Sequence, residues 1–489
     1  MWRGGGGVWY NTSMKTAFGR IAARGVVAVA LASFAAPGGS AAVQPMTEYL
    51  KSAVVYQIVL RTFTRDGNFK AATEMLEHVR SVGVDVVYLA PFVEMDRDMD
   101  ETGWSQRQIK SGYHSPKNPY RISNYDKIDP EYGTDADFRE FCDTAHALGM
   151  RVFMDLVYVH CGPNNVLKDM ISDAFQKNPD GTVKTTKWRF PYLNFESKDV
   201  RRYLVDSMLR WMRLGCDGFR CDTGDKVPLD FWEEAAERCR AVNPSLVMIN
   251  EGVRPEYLRK AFNARYDWHW GRLRGYLVPA AVAKPMTLPE IMDEVRAYDA
   301  EAPDGGLSFV FLDNHDTAAD AGEHRFDRVL PVEAGNAAFV LTFLRRGLPL
   351  LFNGNEIADS SLSTFFAPVE DPARARKTVD WARALQPSGQ KRLSLLRRLA
   401  KLRHEMPVFS EGTKEWLKDG EAHGCVSLMR RHGDVSVFVA ANLTDRAASF
   451  CVADGGRCTT ETLLAENGSL AADGTCHLGP WGYVVSVIR

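Results

Sequence analysis

Short apolar runs alternate with longer amphipathic segments from residue 53 to about residue 400, and this rhythm narrows the choice of fold more than any other feature of the chain. The runs are AVVYQIV (53–59), VDVVYLA (84–90), RVFMDLV (151–157), CDGFRCD (216–222), LVMIN (246–250), LSFVFL (307–312) and LPLLFN (348–353), with a weaker one at ARYDW (264–268). Each has the length and bounding residues of a strand. Among the segments between them, 137–148 sets Phe138, Phe141, Cys142, Ala145 and Leu148 on one helical stripe. Gly83, Gly149 and Gly215 stand where C-terminal helix caps belong. Eight strands, each followed by a helix, predict an α/β fold, a (β/α)8 TIM barrel over residues 43–404. A doubly wound open sheet is the alternative, but no GxGxxG follows the first strand. Residues 161–197, after the third strand, are too long and polar for an ordinary loop and predict a small inserted subdomain, short enough to favour an open cleft. From about 405 the pattern changes to alternating strands such as GDVSVFVAANL (433–443) and GYVVSVI (482–488), which predicts a C-terminal all-β sandwich over 405–489.

Composition adds limits. A formal net charge of −2 over 489 residues gives no reason to expect nucleic acid or an anionic membrane as partner. Residues 1–42 read as a secretory signal. Lys15, Arg20 and Arg24 precede the apolar run GVVAVALASFAA (25–36), and small residues at SAA (40–42) suit cleavage before Val43. Translation is expected to start at Met14, and the mature protein to be secreted or periplasmic, with no membrane partner. Nine cysteines, an odd number, leave at least one unpaired within the chain. Cys142, Cys216, Cys221 and Cys239 lie in apolar stretches that suit small core residues, whereas Cys425, Cys451, Cys458 and Cys476 cluster late, where export would permit disulfides. No CxxC or Cys/His spacing points to zinc.

In a barrel of this kind the chemistry sits at the C-terminal ends of the strands. Read in order, those ends carry Asp155 and His160 after the third strand, Arg220 and Asp222 on the fourth, Glu251 after the fifth, and Asn314-His315-Asp316 after the seventh. Residues two apart on a strand share a face, so Arg220 and Asp222 are expected side by side. Each residue alone has an ordinary reading: Asp155 as a loop anchor, His160 as a satisfied structural histidine, Glu251 as a solvated strand end, Asp316 as a helix cap, and Arg220–Asp222 as a structural ion pair. Their convergence on one rim favours catalysis.

These segments resemble the short sequence regions of the α-amylase family of glycoside hydrolases, family thirteen. The resemblance rests on DLVYVH (155–160), GFRCD (218–222), VMINEG (247–252) and FLDNHD (311–316), with FPYLN (190–194), GLPLLFNGNE (347–356), YDWHW (266–270) and YRISNYDKIDPEYGT (120–134) beside them. It implies a retaining mechanism with Asp222 as nucleophile, Glu251 as general acid/base and Asp316 as the carboxylate that distorts and holds the reacting sugar. It also implies that His160 and His315 hydrogen-bond sugar hydroxyls, that Tyr120 stacks on the ring, and that Asp155 and Asn194 support the site. Retention needs carboxyl groups about 5–5.5 Å apart, one ionised and one protonated. Arg220 is expected to lower the pKa of Asp222, and neighbouring carboxylates to raise that of Glu251.

The chain departs from the family pattern at Val159, which stands where Asn is common, and at Asp225-Lys226, which stand where Lys-His is common. Both family residues help hold a structural calcium, so the departures put that ion in question, and the chemistry itself requires no cofactor. Pro119 and Asn124 also depart, and an inserted stretch around 94–118 precedes Tyr120. The expected activity is hydrolysis of α-1,4 bonds in starch-like glucans or maltooligosaccharides. A cyclomaltodextrin- or pullulan-type hydrolase, an exo-acting α-glucosidase and a transglycosylase are the alternatives within the class. A non-catalytic carbohydrate-binding homologue is the alternative outside it, and it predicts loss of at least one of Asp222, Glu251 and Asp316, all of which are present.

Overall fold

A computed structural model describes residues 47–303, 305–371, 377–452 and 460–488. The expected signal segment 1–42 and Cys458 lie outside the described residues. Eight parallel strands close a barrel in chain order: β1 (Val55–Ile58), β2 (Val86–Leu89), β3 (Arg151–Leu156), β4 (Gly218–Cys221), β5 (Val247–Asn250), β6 (Ala264–Tyr266), β7 (Leu307–Phe311) and β8 (Leu348–Phe352), with β8 paired back onto β1. Every expected strand is present, the weak one at 264–268 as a three-residue β6.

The period of two sorts the side chains. Tyr88, Phe153, Val247, Ile249, Tyr266 and Phe309 belong to a cluster that fills the barrel. The residues between them, such as Val87, Met154, Cys221 and Met248, join the larger cluster shared with the surrounding helices. The helix Asp135–Ala147 buries Phe138, Phe141, Cys142 and Ala145, and a capping box between Thr134 and Asp137 starts it. Gly215 closes the next helix, Lys198–Arg213, at φ +116°, and a Cβ there would stand 2.6 Å from Cβ of Cys142. One expectation fails. Only residues 251–263 separate β5 from β6, and they form a 3₁₀ turn, Pro255–Leu258, in place of a helix.

Two excursions rise above the C-terminal rim. Val93–Met95 pairs antiparallel with Ile122–Ile128 and carries the intervening stretch, including the short helix Gln106–Lys110. The insertion after β3 is held by isolated bridges, among them His160 to Tyr192 and Phe175 to Leu193. The sandwich expected at 405–489 is built differently: hydrogen bonds join its strands in one six-stranded antiparallel sheet. Against the barrel, Lys414 donates to Asp299 at 2.6 Å, and the Arg345 guanidinium lies over Trp270 and Trp416. The eight described cysteines are all free thiols, buried except for Cys451.

Candidate active site

The inward-facing column on each barrel strand changes from apolar to charged at its upper end. On β3 Phe153 is followed by Asp155, on β4 Gly218 by Arg220 and then Asp222, and on β5 Val247 and Ile249 by Glu251. Asp155 and Arg220 are register partners, which places carboxylate and guanidinium in one layer. Arg220 is fully buried. Its Nη1 donates to both oxygens of Asp155, at 2.7 and 2.8 Å, and to Oδ1 of Asp222 at 3.0 Å. Its Nη2 lies 3.0 Å from Oε2 of Glu251. Arg220 is therefore no private partner of Asp222. It bridges three carboxylates, and Asp155 takes the largest share.

Glu251 also accepts a 2.7 Å hydrogen bond from the backbone N–H of Thr223. Thr223 holds φ +41°, a left-handed conformation that a β-branched residue adopts only under constraint, and it turns its N–H toward the acid. Burial raises the carboxyl pKa of Glu251 well above the ordinary range, and the nearby charges of Asp222 and Asp316 add to the rise against the pull of Arg220. Asp316 goes the other way. Burial would raise it, but His315 and the Arg107 guanidinium hold it below the usual carboxylate range.

A hydrogen-bond chain fixes the tautomer of His315. The His315 backbone N–H donates to Gln57 Oε1 at 3.1 Å, so the Gln57 amide nitrogen faces Nδ1, 2.7 Å away, and donates to it. The proton therefore sits on Nε2, which donates to the Tyr120 hydroxyl at 2.5 Å, and Tyr120 donates onward to Asp155 at 3.1 Å. Tyr88 gives Asp155 a further bond at 2.7 Å. Burial pushes the imidazoles of His315 and His160 down to about 4, so both are neutral near pH 7. His160 packs against Phe190 and Trp188, and its ring nitrogens are buried without a full hydrogen bond within the chain.

The structure thus brings Asp155, His160, Arg220, Asp222, Glu251, His315, Asp316 and Tyr120 to one site. Asn194 is different. It donates to the Asp173 carbonyl and accepts from the Glu196 N–H, so it shapes the insertion itself. Sequence reasoning missed Tyr88, Gln57, Thr223, Arg107 and Tyr266, whose hydroxyl accepts from Nε of Arg220 at 3.3 Å, and it read Asp225 only as a departure from the family pattern. Asp225 accepts from Asn250 Nδ2 at 2.7 Å and from the N–H groups of Val253 and Arg254 at 2.8 and 3.3 Å, clamping the loop that follows Glu251. Its oxygen would stand 2.0 Å from a Cβ on Gly252. Where a calcium would sit, Val159 is buried apolar packing and Lys226 puts its ammonium over the Trp188 ring at 4.4 Å. These residues do not fit a cation. Among the described residues no group of three or more His, Cys, Asp or Glu is placed to hold a metal.

The family model of the alpha-amylase catalytic domain matches residues 32–187 and 182–392. Alpha-amylase MalA of Haloarcula japonica is 26% identical over 359 residues, 67% of this chain and 49% of that protein, so the chain spans about half the relative's length. Oligo-1,6-glucosidase of Heyndrickxia coagulans is 24% identical, covering 83% of this chain and 94% of that protein. The crystal structure of the maltogenic alpha-amylase AmyB from Thermotoga neapolitana has the same fold, with a TM-score of 0.74 at 24% identity over 90% of this chain and 99% of that one.

Proposed function

The chain belongs to the alpha-amylase family of glycoside hydrolases, and we propose that it hydrolyses α-1,4-glucosidic bonds in starch-like glucans or maltooligosaccharides with retention of configuration. The observation that carries the reading is the Arg220 guanidinium, which touches Asp222 and Glu251 at once. One cation bridging both side chains fits the short separation of about 5–5.5 Å that a retaining pair uses, not the wider gap of an inverting one. In the first step a carboxylate oxygen of Asp222 bonds to the anomeric carbon. The glycosidic C–O bond breaks, and the leaving oxygen takes the proton of Glu251. In the second step Glu251 removes a proton from water, the water oxygen bonds to the anomeric carbon, and the ester to Asp222 breaks. The raised pKa of Glu251 supplies the proton for the first step near neutral pH.

His160, His315, Tyr120 and Asp316 bind and hold the reacting sugar in this reading, Arg220 and Asp155 fix the carboxylates, and no metal takes part. The signal-like sequence of residues 1–42 supports export. The test is a reducing-sugar assay on soluble starch, maltotriose and pullulan, with the anomer of the first product followed by NMR. Release of the α-anomer, lost in Asp222→Asn, is the expected result. Release of the β-anomer, or unchanged activity in Asp222→Asn, overturns the mechanism.

A further inference from the structure

Asp316 meets the sugar with one carboxylate oxygen already engaged. Nη1 of Arg107 donates to its Oδ1 at 2.5 Å and Nη2 to its backbone carbonyl at 2.9 Å, while Nε pairs with Asp320 at 2.8 Å. Neutralising two carboxylates would explain an arginine here, but the same guanidinium also lies over the rings of Phe365 and Phe366, 5.1 and 5.8 Å from their centroids. Those rings belong to the loop after β8, whereas Arg107 belongs to the excursion after β2. The two loops are tied together elsewhere as well. Buried Arg61 donates from one Nη1 to the carbonyls of Lys117 and Phe365, and Lys117 pairs with Glu370 at 2.5 Å. Phe365 in turn packs on Tyr120 and His315. The joined loops therefore stand directly behind the residues assigned to the reacting sugar. Trp188 and Lys226 form a separate bank beside Glu251, on the leaving-group side. The catalytic pair is correspondingly enclosed: the Asp222 and Glu251 side chains are each 9% exposed, against 32% for the Arg107 side chain at the rim.

We infer that Arg107, with Phe365 and Phe366, walls off the site beyond the reacting sugar, so that the enzyme removes single glucosyl residues from the non-reducing end of short α-glucans. The open cleft expected from the short insertion after β3 then applies to the leaving-group side alone. The inference rests on the reading of the protein as a retaining α-glucosidic hydrolase. Interior attack needs room for chain on both sides of the scissile bond, and the wall denies it on one side by a clash.

The test uses maltoheptaose and the same oligosaccharide carrying an ethylidene cap on its terminal 4- and 6-hydroxyls, with early products resolved by chromatography. The expected result is glucose as the sole small product from maltoheptaose and about 100-fold slower cleavage of the capped chain, the size of a steric exclusion. Phe366→Ala, which touches no catalytic carboxylate, is expected to narrow that ratio about tenfold by removing one ring of the wall. Equal cleavage of capped and uncapped chains, with maltose and maltotriose among the first products, overturns the inference and leaves the hydrolase reading standing. Failure to cleave any α-glucoside overturns the hydrolase reading itself. The comparison on the unaltered enzyme decides the matter even where Phe366→Ala does not fold.

Discussion

Asp225→Ala tests whether the loop carrying the acid is held from outside the site. The carboxylate accepts three hydrogen bonds, two of them from the N–H groups of Val253 and Arg254, which lie in exposed residues that water can satisfy. The third donor, Nδ2 of Asn250, sits on a residue with no solvent exposure, and Oδ1 of the same amide already lacks a partner. Removing Asp225 therefore leaves one buried amide wholly unpaired, a cost of about 1–3 kcal/mol. The catalytic effect is larger in ratio. Glu251 precedes the clamped loop by one residue, and a misplacement of about 1 Å costs on the order of 100-fold in rate. Steady-state kinetics on maltotriose should show kcat down by about that factor with KM little changed, and thermal unfolding should show a modest fall in Tm. A variant whose Tm falls while kcat stays within twofold would refute the reasoning, because the loop would then keep its place without Asp225.

Four further outcomes follow from the same geometry. Asp222→Asn should lose on the order of 10⁴-fold in kcat, as removal of a nucleophile does, with the fold intact by circular dichroism. The alkaline limb of kcat/KM requires protonated Glu251, whose pKa is raised in part by the Asp316 charge; residual activity of Asp316→Asn should therefore fall off at lower pH than that of the parent, and a limb moving to higher pH would refute the assignment. Thr223→Gly relieves a left-handed β-branched residue and keeps the N–H that binds Glu251 but removes the hydroxyl that donates to Asp222 Oδ2 at 3.3 Å, so it should melt no lower than the parent and lose no more than about tenfold in kcat, the worth of one such bond. A chelator should leave the initial rate on starch unchanged, because Val159 and Lys226 offer a cation nothing, and a chelator-sensitive rate would refute that reading.

The barrel and most of its site were legible in the sequence because both obey a period of two. Asp155, Arg220, Asp222 and Glu251 extend the inward columns that begin with Phe153, Gly218 and Val247, so strand position alone put them on one rim. Gln57 and Tyr88 lie on the same inward face, but nothing local marks Gln57 as the residue that sets the tautomer of a histidine 258 positions away. Arg107 was hidden for the same reason. Its partner is 209 residues distant, and its helix, Gln106–Lys110, is too short to show a period. Thr223 went unread because composition disfavours a β-branched residue at positive φ, and only the fold reveals that constraint imposes it. The missing fifth helix, by contrast, was countable, since residues 251–263 leave too little chain for a turn, a helix and a return.

The arrangement of charges explains why the site holds a proton where it needs one. Asp155, Asp222, Glu251, Asp316 and Asp320 are gathered around two guanidiniums, Arg220 and Arg107. With every carboxyl ionised the group would carry surplus negative charge in a mostly buried space, and the cheapest relief is one retained proton. Asp222 receives a hydrogen bond from Arg220 at 3.0 Å, Asp155 takes two, and Asp316 has Arg107. Glu251 faces the Arg220 guanidinium without a hydrogen bond from it and meets one backbone N–H. Of Asp155, Asp222, Glu251 and Asp316 it is the least compensated, so the proton settles on the side chain that gives it to the leaving oxygen in the proposed mechanism. In the proposed mechanism Arg220, first visible as one member of a pair in the strand CDGFRCD, sets which carboxylate attacks and which one donates by how unevenly it divides its hydrogen bonds.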